Sequence, residues 1–121
     1  MRVGLIGAGQ MGTDLVVQIA QMRGIEIVAA CDVKTERIEN ACRIAGDASR
    51  SPLCVKSVSD ATNAIAKGRL AAVTKPDLVF QAPEVEVVID ATGNPNAGAN
   101  VALGTIAAGK HIVMMNVEAD V

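Results

Sequence analysis

The sequence lacks clusters of basic residues, long apolar runs and the pattern of a signal peptide. The 11 basic and 13 acidic residues nearly balance at a net charge of −2, and the basic ones are scattered along the chain. This pattern argues against binding to nucleic acid or to an anionic membrane surface. No apolar run approaches the roughly 20 residues of a transmembrane helix, and the first residues lack the cationic start and apolar core of a signal peptide. We therefore expect a cytoplasmic protein with neither nucleic acid nor membrane as a partner.

Cysteine and histidine are too few, or too irregularly spaced, for the usual metal sites. Cys31, Cys42 and Cys54 are odd in number and show no C-x-x-C spacing, so we expect reduced, packed thiols and no bound metal. His111 is the only histidine. It begins an apolar run, which favours a packing or surface role over catalysis.

The apolar residues, which make up 50% of the chain, fall into alternating strand-like and helix-like segments. Near-continuous apolar runs, typical of strands covered on both faces, occur at 2–7, 25–31, 85–91 and 110–115, with a shorter one at 70–74. Helix-like segments occur at 10–22, at 35–45 with Thr35 as N-cap, at 59–67 with Ser59 as N-cap and Gly68 as the stop, and at 96–108 with Gly109 as the stop. A turn at Pro76 and a brief helix before Pro83 follow the short run. The alternation predicts one α/β domain over residues 1–121, a Rossmann-type doubly wound fold with a mostly parallel sheet.

A glycine-rich stretch, "GAGQMG", lies between the first predicted strand and the first predicted helix. Gly7, Gly9 and Gly12 have the G-x-G-x-x-G spacing of a dinucleotide-binding turn, with Gln10 and Met11 between them. In such a turn the first glycine permits the tight bend, the second lets a pyrophosphate approach the backbone, and the third allows close helix packing. The free N–H groups of the helix that follows favour negative charge. The motif therefore predicts a bound dinucleotide.

An acidic residue at the end of the second predicted strand supports this interpretation. Asp32 follows Gly12 by 20 residues, the position from which a carboxylate accepts hydrogen bonds from an adenosine ribose. This favours NAD, whereas the nearby Lys34 and Arg37 could instead balance the 2′-phosphate of NADP. With an aromatic content of 1%, the adenine would have to pack on aliphatic side chains such as Ile6 and Val33.

Polar residues follow the last two predicted strands as well. Thr92, Gly93 and Asn94 come after the run at 85–91 and are expected at the ligand-facing edge of the sheet, with a helix-capping turn as the alternative. Asn116 and Glu118 follow the final run. A carboxylate and an amide there could orient a substrate or move a proton, and the alternative is a linker.

Three segments together resemble the NAD-binding half of homoserine-dehydrogenase-like oxidoreductases. They are "VGLIGAGQMG", "VVIDATGNPNAG" and "AGKHIVMMNVEADV", and the likeness is to the SAF-domain-containing and deoxyxylulose-phosphate-reductoisomerase-like branch. Homoserine dehydrogenases have an Asn-Lys pair after the last strand, and Asn116 matches its Asn while Val117 occupies the Lys position. Met115 and Asn116 stand where related sugar oxidoreductases have Glu-Lys. The resemblance therefore does not extend to the homoserine reaction itself.

The resemblance implies an NAD(P)-dependent enzyme that transfers hydride to or from a small polar substrate. Enzymes of this type have a second half that holds the substrate, so the chain is expected to be a fragment that binds cofactor but is inactive alone. Self-association into a homo-oligomer is a further expectation. The alternative function is a non-catalytic module that senses NAD(P)H and reports redox state to a partner.

Overall fold

The computed structural model describes residues 1–46, 49–93 and 95–115. Within these ranges six strands form one parallel sheet in the order β3-β4-β2-β1-β5-β6. The strands are β1 Arg2–Ile6, β2 Glu26–Cys31, β3 Pro52–Cys54, β4 Leu70–Val73, β5 Val87–Asp90 and β6 His111–Met114. The helices are α1 Gln10–Ala20, α2 Thr35–Ala45, α3 Val58–Ala66, α4 Asp77–Phe80 and α5 Pro95–Ala107.

Both faces of the sheet are covered by helices, as the continuous apolar runs predict. On one face α1 and α2 pack their buried side chains, such as Val16 and Ile38, against Val3 and Leu5 of β1. On the other face α3, α4 and α5 pack against the remaining strand side chains. The predicted Rossmann-type α/β fold is therefore confirmed.

The close packing of α4 depends on a missing side chain in β1. A Cβ atom added at Gly4 would lie 2.3 Å from Cγ1 of Val79, so β1 has room for α4 only because residue 4 is glycine. Val79 is fully buried at this contact. The contact fixes α4 beside the carboxyl end of β4.

Three details of the predicted fold were wrong. The sequence does not predict the strand β3, because it is only three residues long, is largely exposed and starts with Pro52. Proline has no N–H to donate, and an edge strand tolerates this because one of its sides has no neighbouring strand to bond to. Thr35 is the first residue of α2, and the N-cap is Lys34 without a side-chain hydrogen bond. Ser57, not Ser59, caps α3, where its Oγ accepts the Asp60 N–H at 3.1 Å.

Two predicted helix stops are confirmed. Gly68 and Gly109 follow α3 and α5 with φ of 79° and 76°, the left-handed conformation typical of the residue after a helix.

The prediction of packed thiols is partly wrong. Cys31 and Cys42 are buried as expected, but Cys54 is exposed on the short, largely exposed strand β3.

The strand register brings the candidate site residues to one edge. Ile6, the last residue of β1, is paired with Cys31 of β2 on one side and with Asp90 of β5 on the other. The residues that follow these three strand ends therefore emerge side by side at the carboxyl edge of the sheet, where open α/β sheets bind ligands.

Candidate functional site

The loop after β1 makes a tight turn that is held by both neighbouring strands. Gly7 has φ +94°, and its N–H donates to the Cys31 carbonyl at 2.7 Å. A Cβ atom here would lie 3.2 Å from the backbone of Ala91 and Thr92. Glycine is therefore required at position 7 both for its backbone conformation and for the space available.

The other two glycines of the motif have opposite surroundings. A Cβ atom on Gly12 would lie 2.0 Å from the Gly7 carbonyl oxygen, so the first turn of α1 rests directly on the loop. A Cβ atom on Gly9 would meet no heavy atom within 4 Å. Gly9 is the N-cap of α1, so the first N–H groups of the helix point toward this open space. Gly12 lacks a side chain so that α1 can pack against the loop. Gly9 lacks one in a position that leaves open space above the N-terminus of α1.

Asp32 lies at the end of β2 and is almost buried, with 7% of its surface exposed. Its Oδ2 accepts the Ala8 N–H of the glycine loop at 2.9 Å, and its Oδ1 accepts the Lys34 N–H at 3.0 Å. The Arg37 guanidinium lies 3.6 Å from Oδ1. A carboxylate offers about four acceptor positions, so Asp32 can hold the loop in place and still accept a hydrogen bond from a ligand.

A cavity of about 590 Å³ opens over the carboxyl ends of the strands. Its lining from the strand ends and loops is Ile6, Gly7, Gly9, Cys31, Asp32, Val33, Thr74, Ala91 and Thr92. Helical and flanking residues complete it: Arg37, Pro76, Asp77, Phe80, Asn100 and Val101. Such a volume lies within the usual range of small-molecule and cofactor sites.

Some predicted cofactor-binding residues do not line this cavity. The Gln10 side chain is exposed and its Nε2 donates to Asp14 at 3.2 Å, and Met11 packs against the core cluster beneath α1. Neither side chain lines this cavity, but Gln10 lines a neighbouring cavity of about 650 Å³ that also includes Gly9 and Arg37. Lys34 reaches Asp32 through its backbone N–H, and its exposed side chain is likewise absent from the lining.

The turn after β5 is organised by a buried acid. Asp90 is 3% exposed, and its Oδ1 accepts the Thr92 N–H at 3.0 Å and the Thr92 hydroxyl at 2.8 Å. Gly93 follows with φ +68°. Thr92 thus lies against the cavity in a fixed turn, and Asp90 is the structural acid that supports it. The predicted site residues Asn94, Asn116 and Glu118 lie outside the described residues.

One wall of the cavity was not predicted from the sequence. Thr74, Pro76, Asp77 and Phe80 follow β4 and form this wall. Because 70–74 was a predicted strand, its position in a parallel sheet could have placed the residues after it at the ligand edge. The carboxylate of Asp77 has no hydrogen-bond or ion-pair partner in the described part of the chain.

The cavity contains a thiol that is not activated. Burial, with the nearby negative charges of Asp32 and Asp77, raises the pKa of the Cys31 thiol to about 12. The thiol is therefore protonated at neutral pH, and the thiolate needed for nucleophilic attack is not available. His111 is exposed at the start of β6, the edge opposite the cavity, as the sequence predicts.

A second cavity, of about 390 Å³, lies at the opposite edge of the sheet beside Gly24 and Arg50. The guanidinium of Arg50 is already used: it donates to both Glu26 oxygens at 2.9 and 3.2 Å, and to the carbonyls of Ile65 and Arg69. Its charge is neutralised and nearly all of its donors are satisfied. This arrangement joins β2, α3 and the segment before β3, and it is structural.

No group of three or more metal-ligating side chains occurs among the residues described. None of the helices in the described ranges combines the length and apolar character needed to span a bilayer.

Comparison with known proteins identifies the fold and its family. Residues 1–114 match the family described as "Oxidoreductase family, NAD-binding Rossmann fold". No curated protein shows significant sequence similarity to the chain.

Solved structures with the same fold include a probable dehydrogenase from Thermotoga maritima, with a TM-score of 0.68 and 18% identity. A scyllo-inositol dehydrogenase from Lactobacillus casei with bound NAD(H) and scyllo-inositol has a TM-score of 0.68 and 16% identity. A myo-inositol dehydrogenase from the same organism, in complex with NAD(H) and myo-inositol, has a TM-score of 0.66 and 20% identity. Each alignment covers 94% of this chain and 27% of the other, so the chain spans about a quarter of the length of these proteins.

The glycine turn, the strand-end cavity and the family match together define an NAD-binding Rossmann domain. The chain belongs to the GFO/IDH/MocA family of oxidoreductases.

Proposed function

We propose that this chain forms the cofactor-binding part of an oxidoreductase that transfers hydride between NAD and a small polar substrate. The observation that supports this most directly is the cavity, which combines an open Gly9, the N-terminus of α1 and the Asp32 carboxylate. In this proposal the pyrophosphate lies over Gly9, and the adenosine ribose hydrogen-bonds to Asp32.

The proposed substrate class is a small polyhydroxylated molecule. Two solved structures of the same fold are inositol dehydrogenases that hold NAD(H) and an inositol, which supports a hydroxyl-to-carbonyl oxidation. Hydride transfer requires the substrate at near-attack distance from the nicotinamide. We propose that Thr92 and Asn94 face the nicotinamide end, and that Asn116 and Glu118 contact the substrate.

A finer assignment rests on sequence motifs alone. The "ATGNP" and "NVEADV" segments favour the homoserine-dehydrogenase-like branch with a SAF-type second domain. We retain this branch as a prediction about the parent protein, which is expected to extend beyond the present chain into a substrate-binding half.

The cofactor preference can be tested by calorimetric titration of the 121-residue chain with NADH and with NADPH. We expect NADH to bind about tenfold more tightly, since the Asp32 carboxylate accepts from a 2′-hydroxyl but repels a 2′-phosphate. Arg37→Ala should weaken NADPH binding further and change NADH binding little, because Arg37 is the cation that lines the cavity beside Asp32.

Arg43→Ala is the matched control, because it removes the same charge from the same helix at a position that does not line the cavity. Tighter binding of NADPH would contradict the proposed role of Asp32 and would assign Arg37 to a 2′-phosphate. Binding of neither nucleotide by the folded chain would contradict the proposed function.

A further inference from the structure

The order of the strands indicates where the base of a bound dinucleotide lies. The glycine loop follows β1, Asp32 follows β2, and β4 is the next strand in the sheet. The Asp32 N–H donates to the Val73 carbonyl at 3.1 Å, so the residue after β4, Thr74, lies beside the residue proposed to bind the ribose. With the pyrophosphate at β1 and the ribose at β2, the base extends toward the end of β4.

At this end of the cavity an acceptor and an apolar surface occur together. Asp77, the first residue of α4, and Phe80, the last, both line the cavity. The Phe80 ring is held in place by α5, because a Cβ atom on Gly104 would lie only 2.4 Å from its Cζ. Phe80 and Val33 are both part of the lining, and they offer the apolar contact that a planar base requires.

The Asp77 carboxylate is available to a ligand. The residue is exposed, and among the described residues its side chain makes no hydrogen bond or ion pair. Asp77 lines the same cavity as Asp32 and Cys31. Asp32 holds Ala8 and Lys34 and its remaining acceptor capacity is proposed to bind the ribose, so Asp77 is the acid left to contact the base.

We propose that the Asp77 carboxylate accepts a hydrogen bond from the exocyclic amino group of the adenine, and that it thereby selects adenine over hypoxanthine. An ionised carboxylate is an acceptor only. Hypoxanthine has a carbonyl oxygen in place of the amino group, so at this position two acceptors would face each other, and the carboxylate could bond hypoxanthine only by shifting to the neighbouring N1–H. Thr74 and Asn100 also line the cavity, but a hydroxyl and an amide can donate as well as accept and do not discriminate in this way. This inference rests on the proposed function.

The experiment is a calorimetric titration of the 121-residue chain with NADH and with the reduced nicotinamide hypoxanthine dinucleotide. We expect NADH to bind about tenfold more tightly, the scale expected when a charged acceptor is left without its donor. Asp77→Ala should weaken NADH binding and bring the two affinities to within about twofold of each other. Asp77→Asn should reduce or reverse the preference, because the amide can donate to the hypoxanthine carbonyl.

Asp60→Asn is the matched control, because Asp60 is also an acid in the first turn of a helix but does not line the cavity. This variant should keep the wild-type preference. Equal binding of both dinucleotides by the wild-type chain, or an unchanged preference in Asp77→Ala, would overturn the inference and leave the proposed function intact. Binding of neither dinucleotide by the folded chain would overturn the proposed function as well.

Discussion

Gly9→Val is expected to reduce NADH affinity by about 100-fold, or about 2.7 kcal/mol, while the fold is retained. Gly9 lines the cavity, and a Cβ atom there would meet no heavy atom of the protein within 4 Å. Its φ of −74° is accessible to any residue. The valine side chain therefore fills only the space above α1 in which the pyrophosphate is proposed to lie. The ligand then loses hydrogen bonds between its charged phosphates and the backbone, each worth about 1.5–3 kcal/mol.

This prediction is checked by calorimetric titration with NADH, together with circular dichroism and thermal unfolding of the same variant. Gly9→Ala is the graded control: its single methyl group should weaken NADH binding less than the valine does. If Gly9→Val binds NADH with wild-type affinity, the pyrophosphate does not lie over this loop.

Gly12→Ala is expected to have the opposite effect: a loss of folding stability even in the absence of cofactor. The added Cβ atom would lie 2.0 Å from the Gly7 carbonyl oxygen and 2.9 Å from its carbon. Both are backbone atoms of a turn fixed between β2 and β5, so neither can move without displacing the loop. Overpacking of this kind costs about 1–3 kcal/mol or more, and the better helix propensity of alanine returns about 1 kcal/mol. We expect a net loss of about 2 kcal/mol in the free energy of unfolding, with the clash as the larger contribution.

Urea unfolding of Gly12→Ala and Gly9→Ala, compared with the wild-type chain, measures this difference. Gly9→Ala adds the same methyl group to an open position and should change the free energy of unfolding by less than about 1 kcal/mol, the scale of an N-cap effect. Equal stability of the two variants would show that α1 does not rest on the loop as closely as described.

The positions of the glycine motif and Asp32 could be predicted from the sequence. A strand, a tight turn and a helix in succession leave few places in the sheet for the next strand, and Asp32 directly follows that strand. The spacing placed Asp32 beside the loop, and its Oδ2 is 2.9 Å from the Ala8 nitrogen. The spacing did not show that Asp32 also holds the loop in place, or that its Oδ1 accepts the N–H of Lys34, the N-cap residue of α2. Those bonds depend on the rotamer and on the path of the chain after β2, which local sequence does not determine.

The strand at 70–74 and the brief helix after it could be predicted, and so could the sheet edge at which the wall formed by α4 lies. The buried face of α4 could not, because it depends on contacts between distant segments. Gly4 of β1 admits Val79, and Gly104 of α5 admits the Phe80 ring. Each contact joins residues that lie far apart in the chain, and a four-residue helix has no periodicity that would reveal its buried face. The orientation of Asp77 toward the cavity follows from these contacts rather than from any local motif.

Backbone amide chemical shifts of the ¹⁵N-labelled 121-residue chain, recorded during titration with NADH, locate the bound cofactor. We expect shifts confined to the carboxyl edge of the sheet, at the amides of Gly7, Gly9, Asp32, Asp77 and Thr92, which line the cavity of about 590 Å³. Amides of Gly24 and Arg50, beside the cavity of about 390 Å³ at the opposite edge, should not move. Shifts centred on Gly24 and Arg50, or no shifts at saturating NADH, would contradict the assignment of the cofactor to the glycine loop.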